Sequence, residues 1–149
     1  MSTQPQQTGS LDSSLLVRGI PSGGIPEIWF HVEHHIRAAL EVCPFWSAED
    51  IREMLEIGAA QLFELDNFRS IVITRVEQYP QALVMEILLA AGEIQQVMLL
   101  PQFEAWGRSL GCTHFQFMGR KGWAKLHPEY DQQVLLRRSL WPVVAEAKQ

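Results

Sequence analysis

The sequence contains little cysteine, no long hydrophobic run and no overall excess of positive charge. Its two cysteines, Cys43 and Cys112, lie far apart among apolar residues, so we expect reduced core residues and not a disulfide or a catalytic thiol. No apolar run reaches the roughly 20 residues that a membrane helix requires. Residues 1–13 are polar and lack the apolar core of a signal peptide. We therefore expect a cytoplasmic protein with no membrane association.

The length of 149 residues fits one domain with a sizeable core. We assign residues 14–144 to this domain, with a disordered polar N-terminus at 1–13 and a short tail at 145–149. A hydrophobic share of 47% and a charged share of 19% are those of an ordinary globular protein.

Charge is distributed unevenly along the chain, whose net charge is −5. Residues 1–99 carry 5 basic and 13 acidic side chains (−8), and residues 100–149 carry 7 basic and 4 acidic side chains (+3). The negative total argues against nucleic-acid binding. We interpret the basic residues of the second half as a solvated face in preference to a site for a phosphate-bearing ligand; they include Arg120, Lys121, Lys125, Arg137 and Arg138.

The first half predicts an edge strand and two helices. The apolar run at 15–18 suits a short strand, and apolar residues then recur at helical spacing from Pro26 to Cys43. Ser47 and Asp50 have the spacing of a capping box and predict a second helix that ends near Gly58.

Three strands are expected next, at 61–65, 68–79 and 83–89. Short turns at Asp66-Asn67 and around Pro80 would join them into an antiparallel meander. The run at 83–89 is apolar on both faces except at Glu86, which is typical of a central strand that is covered on two sides.

The second half predicts a helix over 93–110, a strand at 113–117, a short helix at 121–127 and a last strand at 133–136. Pro101 requires that the first of these helices either begins again near residue 101 or kinks there. A strand, a helix and a strand in succession form a βαβ unit, so strands 83–89 and 113–117 should be parallel. The predicted class is α/β with a mixed sheet flanked by helices.

This order of elements resembles the GNAT N-acyltransferase fold, from about residue 14 onwards. A second, more local likeness rests on Leu100 to Arg108, on Gly111-Cys112 and on the turn Gly119 to Trp123. These residues resemble a group of small GNAT-like proteins that bacteriophages and prophages encode, some of which are linked to internal virion proteins.

The resemblance implies that acetyl-CoA would lie between strands 83–89 and 113–117, with its pyrophosphate on backbone amides at the start of the following helix. The positions that would bind the cofactor are Leu89, Gly92, Glu93, Ile94 and Arg120. The phosphate loop of the family has the form Gln/Arg-x-x-Gly-x-Gly/Ala. Here the loop has one glycine, no arginine and a carboxylate at Glu93.

Two residues are candidates for acid–base catalysis. Glu86 would be a general base for an amine substrate, and its alternative role is an ion pair with a neighbouring arginine such as Arg75. GNAT enzymes often use a tyrosine after the fifth strand as general acid. Trp123 occupies the comparable region here, so Tyr130 is the phenol that remains nearby.

The histidines and the Gly119–Trp123 turn allow further interpretations. His31 and His35 are four residues apart, but no other cluster completes a metal site, so we expect boundary histidines and no metal. Arg120 and Trp123 would either clamp an anion and a flat ring or serve a tight turn and the core.

Two functions remain open from the sequence. The first is a virion-associated or host-interaction module with a degenerate acyl-CoA loop, whose partner would be a phage or host protein. Such a module would work in the cytoplasm of a bacterial host or be packaged in the virion. The alternative is an acetyl-CoA-dependent N-acyltransferase that acts on an amine of a host or phage protein or of a small molecule.

Overall fold

The computed structural model describes residues 17–93, 99–119 and 123–141. Its five strands lie in one sheet in the order of the chain: β1 Val17–Ile20, β2 Gln61–Leu65, β3 Ser70–Tyr79, β4 Ala82–Gly92 and β5 His114–Phe117. The helices are α1 Ile25–Leu40, α2 Ala48–Glu56, α3 Leu100–Ser109 and α4 Trp123–Leu126, with a 3₁₀ turn at Ser22–Gly24. Contacts group the chain into two compact units, Met1–Met118 and Gly119–Gln149.

The mixed sheet is confirmed. Strands β1 to β4 pair antiparallel, and β5 pairs parallel to β4. The capping box is also confirmed, since the Asp50 amide donates to the Ser47 hydroxyl at 3.1 Å and the Ser47 amide donates to the Asp50 carboxylate at 2.9 Å. These hydrogen bonds lower the pKa of Asp50. No helix in the described ranges is long and apolar enough to span a membrane.

Three predicted boundaries are corrected. The sequence predicts that this strand ends at residue 89, but β4 continues to Gly92 because the first three residues of β3 pair with residues 90–92. Strand β3 begins at Ser70 instead of residue 68, since residues 66–68 all have positive φ and form the turn. The helix predicted over 93–110 begins at Leu100, with Pro101 in its first turn, where the missing N–H costs nothing. Residues 94–98 lie outside the described ranges.

The predicted last strand at 133–136 is wrong. Residues 131–141 belong to no helix or strand and are exposed. An apolar run supplies the propensity for a strand, but a strand also requires a neighbour to pair with. The predicted N-terminus at 1–13 and the tail at 145–149 lie outside the described residues.

Two apolar clusters cover the two faces of the sheet. Helices α1 and α2 pack on one face, where Ile36 and Ile51 meet Ile71, Ile73 and Leu89. Helix α3 packs on the other face, where Phe103 meets Phe63 and Val72. Trp29, Phe103 and Trp106 each pack in one of these clusters. Cys43 and Cys112 are both unbonded thiols, and burial raises the pKa of Cys112.

The turn between β2 and β3 is held from both sides of Phe68, whose φ is +67°. The Phe68 amide donates to the buried carboxylate of Glu64 at 2.7 Å, and His35 Nε2 donates to the Phe68 carbonyl at 2.9 Å. Glu64 is only 3% exposed and also accepts from Arg18 Nε at 2.8 Å. A residue with a side chain is costly in the left-handed region, and these bonds fix it there.

Candidate functional site

The edge of β4 beside β5 is the feature on which the candidate site depends. The two strands pair over four residues only, from Val84 opposite His114 to Ile87 opposite Phe117. β4 then continues from Leu88 to Gly92, past the end of β5. The two parallel strands therefore share no ladder beyond Ile87, and an extended group could lie beside β4 at this point.

A β-bulge lies immediately after the last β4–β5 pair. Opposite β3, Ile73 pairs with Leu89 and Thr74 pairs with Ile87, so Leu88 is the extra residue in β4. Bulges bend a strand and change which face its side chains point to. Glu86 lies before the bulge and Leu89 after it, and both point towards the face that α1 and α2 cover.

The orientation of Glu86 follows from its cross-strand neighbour. Glu86 pairs with Arg75, and directly opposed residues in a sheet share a face. Arg75 has the same parity as Ile71 and Ile73, which belong to the cluster of α1 and α2. The Glu86 carboxylate therefore lies on this helical face, where its side chain is 20% exposed.

Arg75 links Glu86 to two further groups. Its Nη2 is 3.6 Å from Glu86 Oε2, its Nε is 3.0 Å from Glu77 Oε2, and its guanidinium lies 5.8 Å from the centre of the Trp46 ring. The Nε–H is not aligned on an acceptor, so it remains a buried donor without a hydrogen bond. The predicted ion pair between Glu86 and Arg75 is thus confirmed, and the carboxylate remains accessible to solvent.

Gly92 is required at the end of β4. Its φ is +119°, and a Cβ added there would lie 2.4 Å from both the Arg69 carbonyl oxygen and the Ser70 Cα. These are backbone atoms of the paired strand and the turn before it, and they cannot move aside cheaply. Only glycine allows β3 and β4 to approach this closely.

Glu93, which follows Gly92, is hydrogen-bonded to Arg69 through both its amide and its carboxylate. The Glu93 amide donates to the Arg69 carbonyl at 3.2 Å. Arg69 in turn donates to the Glu93 carboxylate at 2.9 Å and to the Asp66 carboxylate at 2.6 Å. These hydrogen bonds, with Glu93 first, raise the pKa of Arg69. An arginine from the start of β3 therefore partly neutralises the carboxylate that the sequence places in the loop.

The remaining predicted site residues are distributed as follows. Leu89 is 5% exposed and packs in the core of α1 and α2, so its backbone is the part that a ligand beside β4 would reach. Tyr130 lies in the second unit, where its ring is 6.1 Å from that of His127. Ile94 and Arg120 lie outside the described residues, as does the side chain of Trp123.

Two of the three histidines of α1 contact the turn at Phe68. The His31 ring stacks on Phe68 at 4.8 Å, His35 bonds the Phe68 carbonyl, and His34 is exposed. Within residues 17–93, 99–119 and 123–141, no group of three histidine, cysteine or acidic residues is placed to hold a metal ion.

Sequence reasoning missed three parts of this region. The bulge at Leu88 leaves no pattern in an apolar run, and the Arg69–Glu93 pair joins residues that are 24 apart. Trp106 and Gln102, four residues apart on α3, each bury a donor nitrogen that makes no hydrogen bond. The spacing of those two residues is the one signal that the sequence offered.

No model of a known protein family matches this sequence, and no curated protein matches it. Solved structures of acetyltransferases do match. A GCN5-related N-acetyltransferase from Ralstonia eutropha has a TM-score of 0.58 at 13% identity, with 85% of this chain and 98% of that chain covered. A GNAT family acetyltransferase from Staphylococcus aureus has a TM-score of 0.57 at 11% identity, with 85% and 98% covered.

A third similar structure contains acetyl-CoA. It is described as a predicted acetyltransferase with acetyl-CoA from Clostridium acetobutylicum, and it has a TM-score of 0.58 at 9% identity, with 85% of this chain and 96% of that chain covered. Identities this low show the fold alone. The chain therefore has the GNAT fold that its order of elements resembled, with a five-stranded mixed sheet flanked by helices.

Proposed function

We propose that this protein is an acetyl-CoA-dependent N-acyltransferase. The observation that carries the proposal is the end of the β4–β5 ladder at Ile87, next to the bulge at Leu88 and five residues before β4 ends. Pantetheine is an extended chain with amide groups, and such a chain can add to a strand edge by backbone hydrogen bonds. The stretch Leu88–Gly92 fits this group in length and character.

Different residues would bind the cofactor and accept the proton. Leu88 to Gly92 would position the pantetheine, and Arg69 would face its phosphates at the end of the strand. Acetyl-CoA, when bound, supplies the acetyl thioester. Glu86 would accept the proton that an ammonium group of the acceptor must lose before its nitrogen can attack.

Arg75 would control access to the Glu86 carboxylate. At 3.6 Å it occupies part of the space that an ammonium group would need, and Glu77 at 3.0 Å offers it a second partner. An arriving cation can therefore replace Arg75 at Glu86 without leaving the guanidinium unpaired. The acceptor class that fits is an amine of a protein or of a small molecule.

The proposal is tested by calorimetric titration of the purified protein with acetyl-CoA and with free CoA. We expect binding at micromolar concentration with a stoichiometry of one ligand per chain, because the Leu88–Gly92 edge and Arg69 would hold the shared part of both ligands. Circular dichroism on the same sample verifies that the protein is folded. Absence of heat at high micromolar ligand from a folded protein would exclude acetyl-CoA as the cofactor.

The substitution Glu93→Gln tests where the phosphates of CoA bind. Removing the carboxylate should tighten CoA binding about two- to fivefold, since an exposed charge next to the phosphates contributes little more than this. Glu56→Gln removes a similar ion-paired carboxylate on α2 and should leave binding unchanged. Equal affinities of the two variants would place the phosphates away from Glu93.

A non-catalytic interaction module is the second candidate function. It is favoured by the balance of charge around Gly92, where two carboxylates, Asp66 and Glu93, outnumber the single guanidinium of Arg69. Such a balance opposes a pyrophosphate. A phage or host protein as partner and packaging in a virion stay predictions from the sequence, and none of the matching structures named above bears on them.

A further inference from the structure

The turn between β2 and β3 holds strained backbone at three consecutive positions. Asp66, Asn67 and Phe68 have φ values of +52°, +60° and +67°. Residues with side chains enter the left-handed region as single residues, and each one costs free energy. Such strain persists only where the surrounding structure fixes it, and it is concentrated at functional sites. The contacts that fix this turn therefore indicate which residue it positions.

Two side chains from outside the turn hold Phe68. Glu64, which is 3% exposed, accepts from the Phe68 amide at 2.7 Å. Its other carboxylate oxygen accepts from Arg18 Nε at 2.8 Å, which fixes the carboxylate itself. His35 Nε2 donates to the Phe68 carbonyl at 2.9 Å. That carbonyl belongs to the peptide group that precedes Arg69, so these contacts fix the point from which the Arg69 side chain starts.

Arg69 is the residue that this turn places beside the end of β4. Its guanidinium donates to Glu93 at 2.9 and 3.3 Å and to Asp66 at 2.6 Å. A guanidinium has five N–H donors, so these contacts within the described residues leave two for a further anion. The Arg69 side chain is 55% exposed. A fixed backbone lowers the conformational entropy that such a side chain loses when it binds a ligand.

We propose that Glu64 and His35 are positioning residues for CoA binding and that they act through Arg69. The inference rests on the proposed function, in which Arg69 faces the CoA phosphates. The stretch that follows β4, residues 93–96, contains no arginine or lysine, so a guanidinium from the neighbouring turn would supply the positive charge there. Glu64 and His35 would not touch the ligand, because their polar atoms are bonded to the turn.

Calorimetric titration with CoA tests the proposal as a double-mutant cycle. Arg69→Ala should weaken binding about tenfold, through the loss of hydrogen bonds from a charged group. Glu64→Gln should weaken binding about three- to tenfold, because the amide offers one acceptor oxygen where Phe68 and Arg18 now use two. In the Arg69→Ala background, Glu64→Gln should cause no further loss, since both changes remove the same contact to the phosphates.

His35→Ala is the second variant, and it decides the question if Glu64→Gln does not fold. It removes the hydrogen bond to the Phe68 carbonyl from the other side of the turn. Binding should again weaken with Arg69 present and stay the same in the Arg69→Ala background. Ser47→Ala is the matched control, because the loss of the α2 cap destabilises the protein but should leave the affinity for CoA unchanged.

The titrations distinguish failure of this inference from failure of the proposed function. If the folded, unchanged protein binds no CoA, the proposed function is wrong and the positioning role falls with it. If the unchanged protein binds CoA, three results overturn the positioning role alone. These are full affinity in Arg69→Ala, full affinity in both Glu64→Gln and His35→Ala, and equal losses from those two changes with and without Arg69.

Discussion

Replacing Gly92 with alanine is expected to cost about 2–6 kcal/mol of the free energy of unfolding. A side chain at φ +119° carries backbone strain of about 1–3 kcal/mol. The new methyl group would also lie 2.4 Å from backbone atoms of Arg69 and Ser70, which forces β3 and β4 apart and adds about 1–3 kcal/mol. Urea denaturation measured by circular dichroism gives the difference directly.

Gly58→Ala is the matched control. Gly58 has φ +80° at the end of α2, and a Cβ there would meet nothing within 4 Å. The Gly58→Ala variant should therefore lose only the free energy of the backbone strain, about 1–3 kcal/mol. Equal losses in the two variants would show that the close approach of the strands at Gly92 contributes nothing, and that the end of β4 adapts.

Glu86→Gln is expected to lower kcat by about 10²–10⁴-fold, which is the usual contribution of a positioned general base. The amide cannot accept a proton, but it has nearly the same shape, so the affinity for acetyl-CoA should not change. The rate of CoA release with the amine that best supports turnover by the unchanged protein measures the effect. Calorimetry measures the affinity.

Glu104→Gln is the control for this substitution. Glu104 is 26% exposed and pairs with Arg108 on α3, so it is similar to Glu86 in exposure and charge but lies outside the proposed site. It should leave kcat unchanged. If Glu86→Gln behaves in the same way, a water molecule acts as the base and the carboxylate serves only to hold Arg75.

The sequence predicts the helices and strands whose apolar residues recur at a regular spacing. The apolar residues at helical spacing from Pro26 to Cys43 identify α1, because burial on one face of a helix imposes a period of 3.6 residues. The capping box of Ser47 and the turn at Asp66-Asn67 are likewise local and could be recognised. The order of these elements then leaves few possible topologies.

What the sequence could not predict depends on contacts between distant residues. The bulge at Leu88 arises from the pairing of β4 with β3, and in an apolar run one extra residue changes no pattern. The Arg69–Glu93 pair requires the register of the same two strands. The segment at 133–136 has the composition of a strand, but composition does not supply the neighbouring strand that it needs.

Because the β4–β5 ladder ends early, two stretches of β4 should exchange their amide hydrogens with solvent at different rates. Val84–Ile87 lies between two strands, and Leu88–Gly92 has β3 alone beside it in the described part of the chain. Exchange follows local opening, which needs less free energy where fewer neighbours hold a strand. The second stretch should therefore exchange faster by mass spectrometry, and acetyl-CoA should slow it towards the rate of the first. Uniform exchange along β4 with no effect of the ligand would mean that nothing binds at this edge.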